Sequence, residues 1–141
     1  MKPPVTALDQ LLALMAPRLH EGVYVFATLP PGEELAGPGI IATMREAEGL
    51  TVVLEEGLAR AKGLTPIYRA AWITLEVHSD LQAIGFTAAF AAALGEAGIS
   101  CNVIAGAHHD HVFVPVDATR EALSALHALA RSARMLEGPS R

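Results

Sequence analysis

A chain of 141 residues is long enough for one compact domain or two small ones, each with a real core. A net charge of −5 without a basic block, and only one tryptophan, two tyrosines and four phenylalanines, exclude the electrostatic footprint and the stacking platform of a nucleic-acid binder. The 52% apolar fraction and mean hydropathy of +0.37 are high, yet the longest uncharged stretch, Leu81 to Gly95, has 15 residues, short of the roughly 20 that cross a bilayer.

The chain order begins with a helix started by Thr6 or Asp9 and running through "LLALM" to about Ala16, where Pro17 interferes with continuation. The N-terminal apolar run holds a lysine, two prolines and an aspartate, unlike a signal peptide, and the single Cys101 cannot form an internal disulfide. Both point to the cytoplasm. "VYVFATL", Val23 to Leu29, is a strand of β-formers, and the proline- and glycine-rich "PPGEELAGPG", Pro30 to Gly39, is a loop or lid without the spacing of a phosphate-binding loop. "IIATMRE" and "LTVVLEE" flank Ala47-Glu48-Gly49 as a hairpin. A short helix through "GLARAKG" closes at Gly63, and Pro66 marks the internal boundary.

In the second half "AAWITLEVHS", Ala70 to Ser79, is a strand that puts Trp72, Thr74, Glu76 and His78 on one face and Ile73, Leu75 and Val77 on the other. The Ser79-Asp80 pair reads as the cap of a helix over 81–97, stopped by Gly98. Ile99 to Gly106 and His111 to Val116 are strands around the turn "AHHD". Asp117 caps a last helix with Ala122, Leu126, Leu129, Ala133 and Leu136 on its core face, ended by Gly138 and Pro139. The fold class expected is α+β, with helices over an antiparallel sheet.

Within "ITLEVHSDLQAIGFTAAFAAALGEAGISCNVIAG", Ile73 to Gly106, the positions of Gly85, Phe90, Leu94, Gly98 and Ile99 resemble the ACT domain, a ferredoxin-like βαββαβ module. The turn lacks the family's proline, Asp80 stands five residues before Gly85 instead of three, and Ser100 replaces the usual asparagine, with Asn102 two positions on. The chain looks like the free-standing tandem ACT proteins of unknown biochemical role. The resemblance implies a degenerate ACT-like half over 1–65 and an ACT domain over 66–141. It also implies small-molecule binding, of an amino acid above all, in a regulatory or sensor module with no catalysis and no cofactor of its own. Carried residue by residue, the ligand loop is Ser79, Asp80, Leu81, Ile84 and Gly85, and the strand beside it contributes Asn102, Val103 and Ile104. Amides at a helix start suit a carboxylate, and an aspartate suits an ammonium.

Chemical alternatives rest on the histidines. His78, Ser79 and Asp80 point in alternating directions and do not form a relay. If 106–109 turns the hairpin, Cys101 lies beside Val114, roughly 13 Å from the histidines at strand rise, and is a small core residue. His109 and His111 share a face as a possible metal pair, so a metal-dependent enzyme centred on His108 to His111 is the alternative function, with Asp110 pointing the other way. A structural or adaptor dimer is another. The 81–97 helix is apolar all round and needs cover on more than its sheet side, from which a homodimer is expected. Arg131 and Arg134 complement the dipole at the end of the last helix.

Overall fold

The computed structural model describes residues 7–136, so Thr6, Gly138 and Pro139 lie outside the described residues. The chain divides into two compact units. One is Glu21–Ala71; the other joins the residues up to His20 to those from Trp72 onward.

In the Glu21–Ala71 unit, β2 (Tyr24–Leu29) pairs antiparallel with β4 (Gly49–Glu55), β4 with β3 (Ile40–Glu46), and β2 with the first residues of β5 (Tyr68–Glu76). The strand order is β3-β4-β2-β5. The alternation of apolar side chains in β2 and β4 buries Val25, Ala27, Val52 and Leu54 completely, with Ala59 of α2 (Glu56–Ala61) closing the cluster. Helix α2 ends as its glycine dictates: Gly63 takes a φ of +71°, and Leu64 N–H donates to the Ala59 carbonyl at 2.9 Å. Between β2 and β3 the proline- and glycine-rich segment runs without a helix.

The other unit is built from β5, α3 (Phe86–Glu96), β6 (Asn102–Ala105), β7 (Asp110–Pro115) and α4 (Thr119–Leu136), completed by α1 (Leu8–Leu14) and β1 (Ala16–Leu19) from the N-terminal segment. Here β6 pairs antiparallel with β7, β7 neighbours β5, and β1 pairs antiparallel with β5 through Ala16 to Leu19 against Glu76 to Ile73. Counting β2 and β5 as the first strands of their units, both sheets run second, third, first, fourth. The fourth strand of the Glu21–Ala71 unit is the start of β5, at the end of its own run, whereas the other unit borrows its fourth strand, β1, from the N-terminal segment. Helices α1, α3 and α4 pack on one another. Ile73, Leu75, Phe90, Leu94, Val112, Val114 and Leu126 are fully buried. Arg134 donates to the carbonyl of Ala13 at 3.1 Å, supplying a cap at the end of α1, so it serves that helix and not only its own dipole.

Several expected boundaries move, each for a local reason. Helix α1 stops at Leu14 and Pro17 lies inside β1, an edge strand with one partner, where a missing N–H costs no ladder bond. Helix α3 begins at Phe86, five residues later than expected, because Gly85 adopts a φ of +94° and breaks the run. Asp80 therefore caps no helix. Its carboxylate accepts from the Gln82 amide at 2.8 Å in a separate turn. Asp117 sits within a 3₁₀ turn, Val116–Ala118, that precedes α4 and makes no side-chain cap. On α4 the buried face is Ala122, Leu126, Ala130 and Ala133, while Leu136 is exposed.

The β3–β4 hairpin supplies a test. Gly49 has a φ of +146°, and a Cβ built on it would lie 2.1 Å from the Leu29 carbonyl oxygen. Gly49→Ala is expected to destabilise the protein by about 2 kcal/mol or more, from backbone strain and displacement of β2, read as a lower urea midpoint at unchanged slope.

Candidate ligand site

The last residues of β5 lead into the segment 77–85, which is turned by Asp80 and ends at Gly85. A side chain at Gly85 would meet a positive φ and the Leu8 Cδ2 atom at 3.2 Å, so the backbone here passes close under α1. Helix α3 then starts with no side-chain cap and no acidic residue in its first turn, and Thr87 and Ala88 are exposed. Its first amide donors have no intrahelical acceptor. Leu81 and Ile84 are 67% and 86% exposed.

Ser79 is buried, and its hydroxyl donates to Oδ2 of Asp110 at 3.4 Å. Asp110 opens β7 and is itself buried. Burial pushes its carboxyl above the ordinary range, and the Ser79 hydroxyl, His111 and His109 oppose that shift. The structure thus brings Ser79, Asp80, Leu81, Ile84 and Gly85 into one loop. In β6, Ala105 pairs with Asp110, Ile104 with His111, Val103 with Val112 and Asn102 with Phe113. Val103 and Ile104 lie next to the Asp110 end, whereas Asn102 is three residues back, about 10 Å along the strand, and exposed. Asn102 and Ile104 share one face, and Val103 faces the other way.

The histidines go to separate places. Gly106 N–H donates to the His109 carbonyl at 2.9 Å to close the turn, and His108 meets His78 edge to face with ring centroids 5.5 Å apart. His111 points to the other side, where its Nδ1 accepts from Trp72 Nε1 at 3.1 Å and lies 3.0 Å from Thr74 Oγ1. Among the described residues no group of three histidine, cysteine, aspartate or glutamate side chains is placed to hold a metal. The Ser79 hydroxyl is directed to Asp110 and the Asp80 carboxylate to Gln82, so neither serves His78. Cys101 is half-buried, and burial raises its thiol pKa, which disfavours the nucleophilic thiolate.

Sequence reasoning missed the part of Asp110. Alternation separated it from the histidines, but only the meeting of β7 with the end of β5 reveals Ser79 as its partner. A second feature, in the Glu21–Ala71 unit, is a cleft of about 390 Å³ between the 31–36 segment and the β3–β4 hairpin, bordered by Glu33, Glu34, Thr43, Arg45 and Glu46. Arg45 and Glu34 pair across it at 3.5 Å, both well exposed.

The buried Asp110 gives a pH prediction. Its folded-state pKa lies above its unfolded value, so its effect on stability is favourable at low pH and is lost as pH rises through the folded value. Asp110→Asn keeps an acceptor for Ser79 and removes the charge. The variant should melt higher than the wild type at pH 7, with the gap closing as the pH is lowered through the carboxylate range.

Comparison with known proteins places this geometry. The ACT domain family matches residues 3–71 and again 68–128. A protein of unknown function from Vibrio cholerae, described as a possible transport protein, is 46% identical, with a TM-score of 0.75 over 87% of this chain and 95% of that one. At 17% identity, a protein from Agrobacterium tumefaciens aligns with a TM-score of 0.62 over 82% of this chain and 89% of its own. The ligand-free regulatory subunit of aspartate kinase from Thermus thermophilus aligns with a TM-score of 0.63 at 11% identity, over 84% of this chain and 97% of that one, a likeness of fold. No match is found among curated proteins. With both family matches, near-complete coverage at 46% identity and the same strand order in each unit, the chain belongs to the ACT domain family, as a tandem of two such domains.

Proposed function

We propose that the protein is a cytoplasmic ligand-binding regulatory module with no catalysis of its own, taking an amino acid at the Ser79–Gly85 loop and the neighbouring end of β6. The observation that carries this reading is the pairing of opposite chemistries in one loop. The uncapped start of α3 offers amide donors and a positive dipole end, and the buried carboxylate of Asp110 lies at the other end of the same loop, under Ser79. Amides and dipole suit a ligand carboxylate, and Asp110 with Asp80 suits an ammonium. Leu81, Ile84, Val103 and Ile104 supply apolar contact for a side chain, and Asn102 is the outermost polar candidate on the strand. The family membership and the fold likeness to regulatory subunits of aspartate kinase support a regulatory role.

The test is a thermal-shift series over the proteinogenic amino acids with the wild type, Asp110→Asn and Arg45→Ala. A ligand at 100 times its dissociation constant adds about 2.7 kcal/mol of stability. One amino acid is expected to raise the melting temperature of the wild type and of Arg45→Ala, and to lose most of that increment in Asp110→Asn. The reverse pattern, with the increment lost in Arg45→Ala, moves the site to the cleft beside the β3–β4 hairpin. Failure of every amino acid removes the amino-acid reading.

We also propose a homodimer. Leu81 and Ile84 stand exposed next to the start of α3, and Ala88 and Ala92 are exposed on that helix, an apolar surface of the kind that assembly covers. Light scattering should report twice the chain mass at micromolar concentration, and Ala92→Glu should shift the protein towards monomer. A wild-type monomer under those conditions rejects the dimer.

A further inference from the structure

On the face of β5 opposite Ile73 and Leu75, four side chains form one connected cluster. The His20 ring stacks on Trp72 with centroids 3.5 Å apart and planes 6° from parallel. Its Nε2 lies 2.6 Å from Thr74 Oγ1, which in turn lies 3.0 Å from His111 Nδ1, the same atom that takes the Trp72 indole N–H at 3.1 Å. Thr74 is 2% exposed, so water does not substitute for these partners at its hydroxyl. The backbone ties the same elements together, because His20 N–H donates to the Trp72 carbonyl at 2.9 Å.

The donor inventory fixes where the protons are. An indole nitrogen only donates, so His111 Nδ1 is unprotonated and a neutral His111 carries its proton on Nε2. The Thr74 hydroxyl has one proton. It satisfies both histidines by donating to His111 Nδ1 and accepting from His20 Nε2–H. One arrangement of protons therefore fits every contact, with the Nδ1 lone pair shared by the Trp72 N–H and the Thr74 O–H, and it requires His111 to be neutral.

We propose that this cluster is a proton-sensitive latch in which His111 is the sensor, Trp72 the group released, and Thr74 with His20 the tie that carries the change to β1. A proton arriving on His111 Nδ1 takes the lone pair that holds the indole. Two N–H groups then face each other, the indole moves, and the ring stacked on it moves with it. Protonation of His20 instead adds a proton at Nδ1, away from Thr74, and leaves the Trp72 to His111 bond intact. The charged and titratable groups around the cluster are Arg18 and Glu76, paired at 2.8 Å, and His109 and Asp110 beside His111. Burial lowers the pKa of both histidines, most strongly of all the influences on each; Arg18 lowers both further, His109 lowers His111, and each is partly restored by a carboxylate, Glu76 for His20 and Asp110 for His111. With folded-state values below the unfolded one, the stability the latch contributes is complete above about pH 6.5 and is lost as pH falls through the folded values. The inference is independent of which ligand the protein binds.

The experiment is an ¹⁵N NMR titration of the intact protein from about pH 7.5 to about 4.5, following the histidine ring nitrogens and the indole N–H of the single tryptophan. At the start His111 Nδ1 should be unprotonated. The indole resonance should then shift with the His111 midpoint, below the ordinary imidazole value and before the dispersed backbone signals collapse. His111→Phe should abolish the indole shift, and His20→Phe should preserve it. The latch is overturned by a proton on Nδ1 at neutral pH, by an indole signal indifferent to pH, or by a shift that coincides with global unfolding. It is equally overturned by a shift that survives His111→Phe or disappears in His20→Phe. Should His111→Phe not fold, the wild-type titration alone decides.

Discussion

Strand β5 has to be two strands at once. Its first residues, Tyr68 to Ala70, are the last strand of the Glu21–Ala71 unit, and Ile73 to Glu76 form the first strand of the other unit, pairing with β1. Side chains alternate with a period of two, so within the second unit the register of β5 against β1 goes with which residues that unit buries. A slip of one position would send Ile73 and Leu75 to the polar face and bring Trp72, Thr74 and Glu76 towards the helices. Nine residues without a proline or glycine hold that register, and β-branched or aromatic side chains at Tyr68, Trp72, Ile73 and Thr74 suit an extended backbone.

The same alternation gives the two sides of the second unit different chemistry. Behind Ile73 and Leu75 the packing is aliphatic and aromatic, and its contribution scales with the area removed from water. On the other side the fully buried atoms include the Thr74 hydroxyl, and a hydroxyl taken from water must keep its hydrogen bonds. Among the described residues no buried side-chain polar atom lacks a partner. Directional bonds make that side specific in a way the aliphatic side is not, and they are the means by which a single proton can alter it.

Much of this was legible from the residues, and the failures share a cause. The hairpin at 40–55, the face assignment in β5, the breaks at Gly63 and Gly98, and the ferredoxin-like character of the second half all follow from signals within a window of about ten residues. The N-terminal segment defeated that reading. Pro17 looks like a helix stop, and nothing local says that the four residues around it become a strand whose partner lies more than fifty positions away. No local signal pairs β1 with β5, so none brings His20 to Trp72, although alternation alone puts Trp72 and Thr74 on one face. Ser79 to Gly85 share a loop by chain continuity alone, and the Ser79 partner of Asp110 is not legible locally, because alternation governs direction within a strand and says nothing about what the next strand presents. The late start of α3 shows the weight of one glycine, since the four apolar or neutral residues Leu81 to Ile84 lie before it and none belongs to the helix.

The borrowing of β1 has a consequence for how the chain comes off the ribosome. Residues 21–71 contain every strand their unit needs in one contiguous run, so that unit can close as soon as the start of β5 is exposed. The segment 8–19 emerges before every partner it needs. Its helix awaits Arg134, 121 positions downstream, to satisfy the Ala13 carbonyl, and its strand awaits the far end of β5. Until residues 73–134 are made, an apolar helix and an unpaired edge strand stay unsheltered, and loop closure over such a span is slow. A proline in the middle of that waiting strand removes one donor from its exposed edge, which blunts its capacity to pair with a neighbouring nascent chain before its own partner arrives.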